Sequence, residues 1–296
     1  MSLLEQPPRP ASSFARLRGP VRDGRSRCGG GPGGRPRPVR ELVLIVLLFG
    51  VYKLGRLLAS GRVSEALANA RGVWDLERAA RLPSETAVQH GLLHSEALVH
   101  AANCYYAYVH FPATAAFLLW IYLRRPAHYR WIRRVVVALT GAGLVLHLLV
   151  PLAPPRMLAA TGLIDTGARF GPAVYGAPQT DTMANQYAAM PSLHIGWAAV
   201  VAMGLIVTSR TRWRWLWLLH PLATVAVVVS TANHYWLDGI VVLSLLAATV
   251  LLIRPPRPAG RPVNGAAGGA ASGAAAQPPG TAPSVSSSSA TGASLS

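Results

Sequence analysis

The sequence predicts an all-α fold: a polytopic membrane bundle of six transmembrane helices, with amphipathic surface helices between the first two. Three observations carry this expectation. The chain of 296 residues is 51% hydrophobic and only 13% charged, with a mean hydropathy of +0.33, too apolar for a water-soluble domain of that length. Apolar runs close to the roughly 20 residues that cross a bilayer recur along it. Basic residues alternate with those runs and are not gathered in one block.

Residues 1–40 hold nine arginines among proline and glycine. Such a stretch has no apolar periodicity with which to build a core, so it reads as a disordered basic tail. No secretory signal is expected, because no short basic start is followed by an apolar segment within about 30 residues. The first span covers 41–60. Residues 61–100 mix polar and apolar positions at helical spacing, which predicts helices lying along the membrane surface. Further spans follow at 101–123, 133–151, 193–209, 215–231 and 235–253, giving a six-span domain over 41–253. Residues 254–296, rich in Ala, Gly, Ser and Pro, read as a second disordered tail. Cys28 and Cys104 fall in different parts of this layout, so no disulfide is expected.

Orientation follows from the arginines. They crowd the first tail, then "RRPAHYRWIRR" (124–134), "SRTRWR" (209–214) and "RPPRPAGR" (254–261). Six spans put all four segments on one side, which the positive-inside rule makes cytoplasmic. Segments 61–100 and 152–192, with four basic against five acidic residues and two of each, fall on the other side. The net charge of +17 is thereby accounted for by membrane topology, and no nucleic acid is expected as a partner. The predicted home is a cell membrane, with both termini cytoplasmic.

Three polar motifs converge on the outer face. "ANHYWLDG" (232–239) places His234 four residues before Asp238 at the mouth of the sixth span. At helical spacing the carboxylate accepts from one imidazole nitrogen, leaving the other as nucleophile, base or ligand. Ionisable groups at membrane depth are costly and functional by default. "MPSLHIGWA" (190–198) starts the fourth span with Pro191, so Ser192 and the amides of Ser192, Leu193 and His194 form an anion site at the positive end of a helix dipole. "PLAPPRM" (151–157) ends the third span with Arg156, whose planar fork suits phosphate. One oriented histidine, one free histidine, a helix start and a guanidinium are the parts of phosphoryl transfer, where positioning and charge neutralisation dominate.

"PSLH" followed some forty residues later by "HYWLD" resembles the type 2 phosphatidic acid phosphatase superfamily, which shares its site with vanadium haloperoxidases. Pro191, Ser192 and His194 match the family's Pro-Ser-Gly-His motif, with Leu193 in the glycine's place. His234 and Asp238 match the end of its third motif. The resemblance implies that His234 attacks phosphorus, Asp238 orients it and His194 protonates the leaving group, with no cofactor and no metal. Val228 stands where the third motif carries arginine, and the first motif, Lys-x6-Arg-Pro, meets Leu149, Arg156 and Met157 here. The stretches "PLAPPRM", "AMPSLH" and "ANHYWLDG" look closer to the inositol phosphorylceramide synthase-like branch, whose members move a phosphoinositol headgroup between lipids.

Other groups are candidates to replace the absent cations or support the site. Lys53 and Arg56 sit a turn apart in the first span, and Arg169 lies in an outer loop. His147 precedes the first motif, while Asn103 and His110 lie in the second span. For Lys53 and Arg56 the alternative is snorkelling to the interface; for Asn103 and His110 it is hydrogen bonding between helices. Tyr105, Tyr106, Trp197, Tyr235 and Trp236 are expected in an interfacial aromatic belt.

The expected function is therefore a lipid phosphatase or phosphotransferase, phosphoinositol transfer included, acting on a lipid phosphate or phospholipid at the extracytoplasmic face through a phosphohistidine. Two alternatives stand beside it. An intramembrane zinc hydrolase would use His194, His234 and Asp238, with His90 and His94 nearby. A lipid transporter would use the polar groups to line a passage. The phosphoryl-transfer reading requires His194 and His234 to face one another across about one phosphate's width.

Overall fold

The computed structural model describes residues 36–59, 61–176 and 186–256, and most of both expected tails lies outside them. Among the described residues there are helices and one isolated bridge, between Leu152 and Ala188, but no strand. The longer helices are α1 (Pro38–Ala59), α2 (Val63–Ala79), α3 (Glu85–Leu93), α4 (Glu96–Cys104) and α5 (His110–Arg124). They continue with α6 (Pro126–Leu149), the single turn α7 (Thr166–Phe170), α8 (Leu193–Thr208), α9 (Leu219–Ser230) and α10 (Trp236–Leu252).

Local chemistry sets most of these boundaries. Ser84, Ser95, Asp165 and Ser192 each accept a hydrogen bond from a first-turn amide of the helix they precede, satisfying donors that a helix start leaves open. Pro126 opens α6 at the position where a missing N–H costs nothing. A π-helical turn, Tyr105–Val109, joins α4 to α5 in one rod, Glu96–Arg124.

Among the described residues, three helical stretches are long and apolar enough to cross a membrane: Glu96–Arg124, Pro126–Leu149 and Arg212–Ser230. Two shorter apolar helices, α8 and α10, accompany them. The protein is thus membrane-associated.

Helix α8 is the hub, packed against α5, α6, α9 and α10. Its small residues let the neighbours come close. A Cβ on Gly196 would stand 2.6 Å from Val242 Cγ2, and one on Gly204 2.4 Å from Phe117 Cζ. Ile121, Ile132, Leu139, Ile195, Val228 and Val242 fill the surrounding core. Helix α1 is tied to α6 where the buried Glu41 accepts from Tyr129 at 2.7 Å and pairs with Arg133.

In the 61–100 region, expected as amphipathic surface helices, α2 buries Glu77 beside Ala66 and Ala70, and α3 buries Glu85 and Gln89. Gln89 donates to the carbonyls of Ile164 and Ser230 and accepts from the Ile164 amide. Ala66 and Ala70 of α2 pack with Leu152, Ala153, Leu158, Ala189 and Tyr235 in a second core. These helices are docked onto the loops that carry the polar motifs.

Candidate functional site

Helix α9 ends in a turn whose residue Ala232 has φ 54°, the left-handed conformation that closes helix C-termini. With alanine there instead of glycine, the turn carries a cost of about 1 kcal/mol. It aims the amides of Asn233 and His234 at the Val228 carbonyl, at 2.9 and 3.1 Å. His234 therefore lies in the turn, with Tyr235 as N-cap and α10 beginning at Trp236. This corrects the expectation that His234 and Asp238 share one helix face.

The two still meet, because Asp238 occupies the third helical position and reaches back. Its Oδ2 accepts from the Tyr235 amide at 2.9 Å and lies 3.1 Å from His234 Nδ1. The carbonyl of Ala189 lies 3.0 Å from the same nitrogen. Both neighbours are acceptors, so Nδ1 carries the proton and Nε2, across the ring, keeps its lone pair. Asp238 is fully buried and His234 is 6% exposed.

Pro191 and Ser192 join this turn to α8. The Ser192 amide donates to the Asp238 carbonyl at 3.2 Å, and Ser192 Oγ accepts from the Ile195 amide at 3.5 Å. Ser192 is thus committed to structure, and the anion cradle expected there shrinks to the first-turn amides of Leu193 and His194, which have no partner within the helix. His147 Nε2, 3.2 Å from the Pro191 carbonyl, donates to it and steadies the loop.

His194, the second residue of α8, faces the turn. Its ring centroid is 5.7 Å from that of His234, 4.8 Å from Tyr106, 4.8 Å from His110 and 5.5 Å from Phe111. The structure therefore brings the two motif histidines together inside an aromatic enclosure. Tyr106 and Tyr235 are buried within the protein, not in an interfacial belt. Trp197 lies over His110 and donates to Thr140, and Trp236 donates to the Pro83 carbonyl.

Arg156 closes the other side. Its backbone amide donates to the Ala232 carbonyl and its guanidinium to Asn233 Oδ1 at 2.5 Å. Nε lies 3.0 Å from Asp165 Oδ2, within ion-pair range though not aligned as a hydrogen bond. The guanidinium sits 4.7 Å above the Tyr175 ring, and the Tyr175 hydroxyl bonds that of Tyr106. Arg156 is thus linked to His234 through Asn233 and to His194 through the two tyrosines. Beside it, a cavity of about 20 Å³ is lined by Asn103, Tyr106, Asp165, Tyr175 and Asn233 among others, room enough for one water.

Of the remaining candidates, Asn103 lines that cavity and the others disperse. Asn103 uses its whole amide on Thr166 and the Gly171 carbonyl, pinning α7. Lys53 lies over the Phe49 ring of its own helix, and Arg169 is exposed over Phe170. The side chain of Arg56 lies outside the described residues. His94 bonds the His90 carbonyl at an exposed helix end. Among the described residues, no three His, Cys, Asp or Glu side chains are grouped so as to hold a metal ion.

Sequence reasoning missed Asn233, Asp165 and Tyr175. Asn233 had a signal, since it directly precedes His234; Asp165 had one only as the cap of α7, and Tyr175 sits in a loop without pattern. It also missed Glu77, whose Oε1 accepts from the Leu237 amide at 2.7 Å, in the first turn of the helix that carries Asp238. Glu85 lies beside it and pairs with Arg78 at 2.6 Å. Burial first, then the hydrogen bond and charge of Glu85, push the Glu77 carboxyl from 4.5 up to about 9. A carboxyl raised on folding stabilises in full below its unfolded pKa and loses that contribution as pH climbs through the folded one. Melting temperature is therefore expected to fall between about pH 4.5 and about pH 9. Glu77→Gln, which keeps the acceptor for Leu237 and a donor for Glu85, should flatten that fall. An unchanged pH profile in the variant would remove Glu77 from the explanation.

The family model of the PAP2 superfamily matches residues 71–252, from the middle of α2 to the end of α10 and across all three motifs. No curated protein matches the chain, and no solved structure does.

Proposed function

The chain belongs to the PAP2 superfamily, and from that premise we propose that it is a membrane lipid phosphoesterase that transfers a phosphoryl or phosphodiester group through His234. One observation carries this reading: His234 is held with its proton on Nδ1 by two acceptors while its ring stands 5.7 Å from that of His194.

In the first step, the His234 Nε2 lone pair attacks phosphorus. The P–N bond forms as the P–O ester bond breaks, and protonated His194 gives its proton to the departing alkoxide. Asp238 and the Ala189 carbonyl keep the Nδ1 proton and stabilise the positive ring. In the second step, neutral His194 takes a proton from water or an acceptor hydroxyl, whose oxygen attacks phosphorus. The P–N bond breaks and neutral His234 returns. Arg156, released from Asp165 to the anion, and the amides of Leu193 and His194 neutralise the non-bridging oxygens.

Six spans, both termini in the cytoplasm and a site on the extracytoplasmic face fit the alternation of arginines along the chain. The sequence likeness of the three motifs to the inositol phosphorylceramide synthase-like branch favours transfer of a phosphoinositol-type headgroup over simple hydrolysis.

The test is purified full-length protein with headgroup-labelled phospholipids, phosphoinositol lipids among them, and with lipid phosphates, each with and without an alcohol acceptor. Labelled lipid product that forms only with acceptor identifies a transferase; water-soluble phosphate released without it identifies a hydrolase. Neither product from any member of the panel would overturn the proposal.

A further inference from the structure

His110 is 1% exposed, yet among the described residues neither of its ring nitrogens has a hydrogen-bond partner. The hydrogen bond between helices that its sequence position suggested is not made. Its ring instead lies 4.8 Å from His194, tilted by 47°, and 6.2 Å from Trp197, nearly parallel at 14°. Phenylalanine would fill this space with no polar cost, and a buried imidazole left unpaired lowers stability. The backbone around it is also unusual. His110 is the first residue after the π-helical turn Tyr105–Val109, and single π turns inside helices concentrate at functional sites because they redirect the side chains that follow.

We propose that His110 contacts substrate: its imidazole hydrogen-bonds the alcohol oxygen that leaves, and the hydroxyl that replaces it, alongside His194. A neutral imidazole offers one donor and one acceptor, which matches an alcohol oxygen in both halves of the reaction. The ligand class is therefore the hydroxyl-bearing part of a lipid phosphate, not its phosphate oxygens, which Arg156 and the helix start neutralise. This inference rests on the phosphoryl-transfer reading of His234 and His194.

The experiment compares His110→Phe and His110→Asn with the parent protein, full length in lipid nanodiscs. His110→Phe should melt at or above the parent temperature, because it removes two unpaired nitrogens and keeps the aromatic stack. Its kcat/KM on a lipid phosphate should nonetheless fall about ten- to a hundredfold, the loss expected for a hydrogen bond to a charged or developing alkoxide oxygen. Phosphoenzyme formation from an activated aryl phosphate, whose leaving oxygen needs no such bond, should stay near the parent level. His110→Asn, with a donor and an acceptor, should recover part of the loss on the lipid.

Parent-level kcat/KM in His110→Phe overturns the inference. So does a melting temperature several degrees below the parent in that variant, which would reveal a partner within the protein. Those outcomes, with an active parent that His234→Ala silences, leave the reading of His234 standing. A parent whose activity survives His234→Ala removes that reading and the His110 contact with it.

Discussion

Replacing His234 by alanine is expected to abolish turnover, with a loss on the order of 10⁴- to 10⁶-fold, the range seen when a covalent nucleophile is deleted. The loss is chemical more than structural. The side chain is small, its hydrogen bonds among the described residues run from Nδ1 to Asp238 and the Ala189 carbonyl, and Asp238 keeps its cap on the Tyr235 amide in the variant. Two measurements check it. Radiolabelled substrate quenched in alkali should leave an alkali-stable, acid-labile phosphoprotein in the parent and none in the variant. Thermal unfolding should show both folded at the assay temperature. A His234→Ala protein that still forms the phosphoprotein would reassign the nucleophile.

His194→Gln is expected to lose about 10²- to 10⁴-fold, the usual worth of a positioned acid and base, and the size should depend on the leaving group. A lipid alkoxide is a poor leaving group that needs the proton, so the first step should suffer in full. A nitrophenolate departs without help, so that substrate should phosphorylate the variant at a rate close to the parent. The second step still lacks its base, and the phosphohistidine should therefore accumulate. A burst of nitrophenol followed by a slow steady state is the expected trace. Equal losses in the phosphorylation step on both substrates would mean that His194 acts in the enclosure around His234 without donating a proton. In that enclosure it stands against Tyr106, His110 and Phe111, and glutamine would leave a gap there, so the aryl phosphate serves as the internal control for packing.

Both expectations were open to a reader of the sequence, because they rest on short-range facts. His234 and Asp238 are four residues apart, and Pro191 followed by Ser192 and a long apolar run announces a helix start with His194 in its first turn. Short spacing survived even an error in the local structure: His234 proved to lie in a turn and not on a helix, yet a carboxylate at the third helical position reaches the residue before the N-cap just as well. The helix positions from 96 to 252 were legible for a similar reason, since hydrophobic runs and caps are properties of neighbouring residues.

What the sequence by itself determined, then, is a helical, membrane-associated chain of the PAP2 superfamily, with His194 at a helix start and His234 four residues before Asp238. Tertiary structure decided what surrounds them. Arg156 meets Asp165 and Asn233, Glu77 braces the start of α10 from more than a hundred and fifty residues away, and Tyr106 and His110 close over His194. The faces of α2 and α3 also turn inward only because loops arrive to cover them. The physical reason is common to all four. Spacing along a helix or turn constrains groups a few residues apart, whereas the partner of a buried charge or ring is whichever group the packing of distant helices delivers, and no local pattern encodes that.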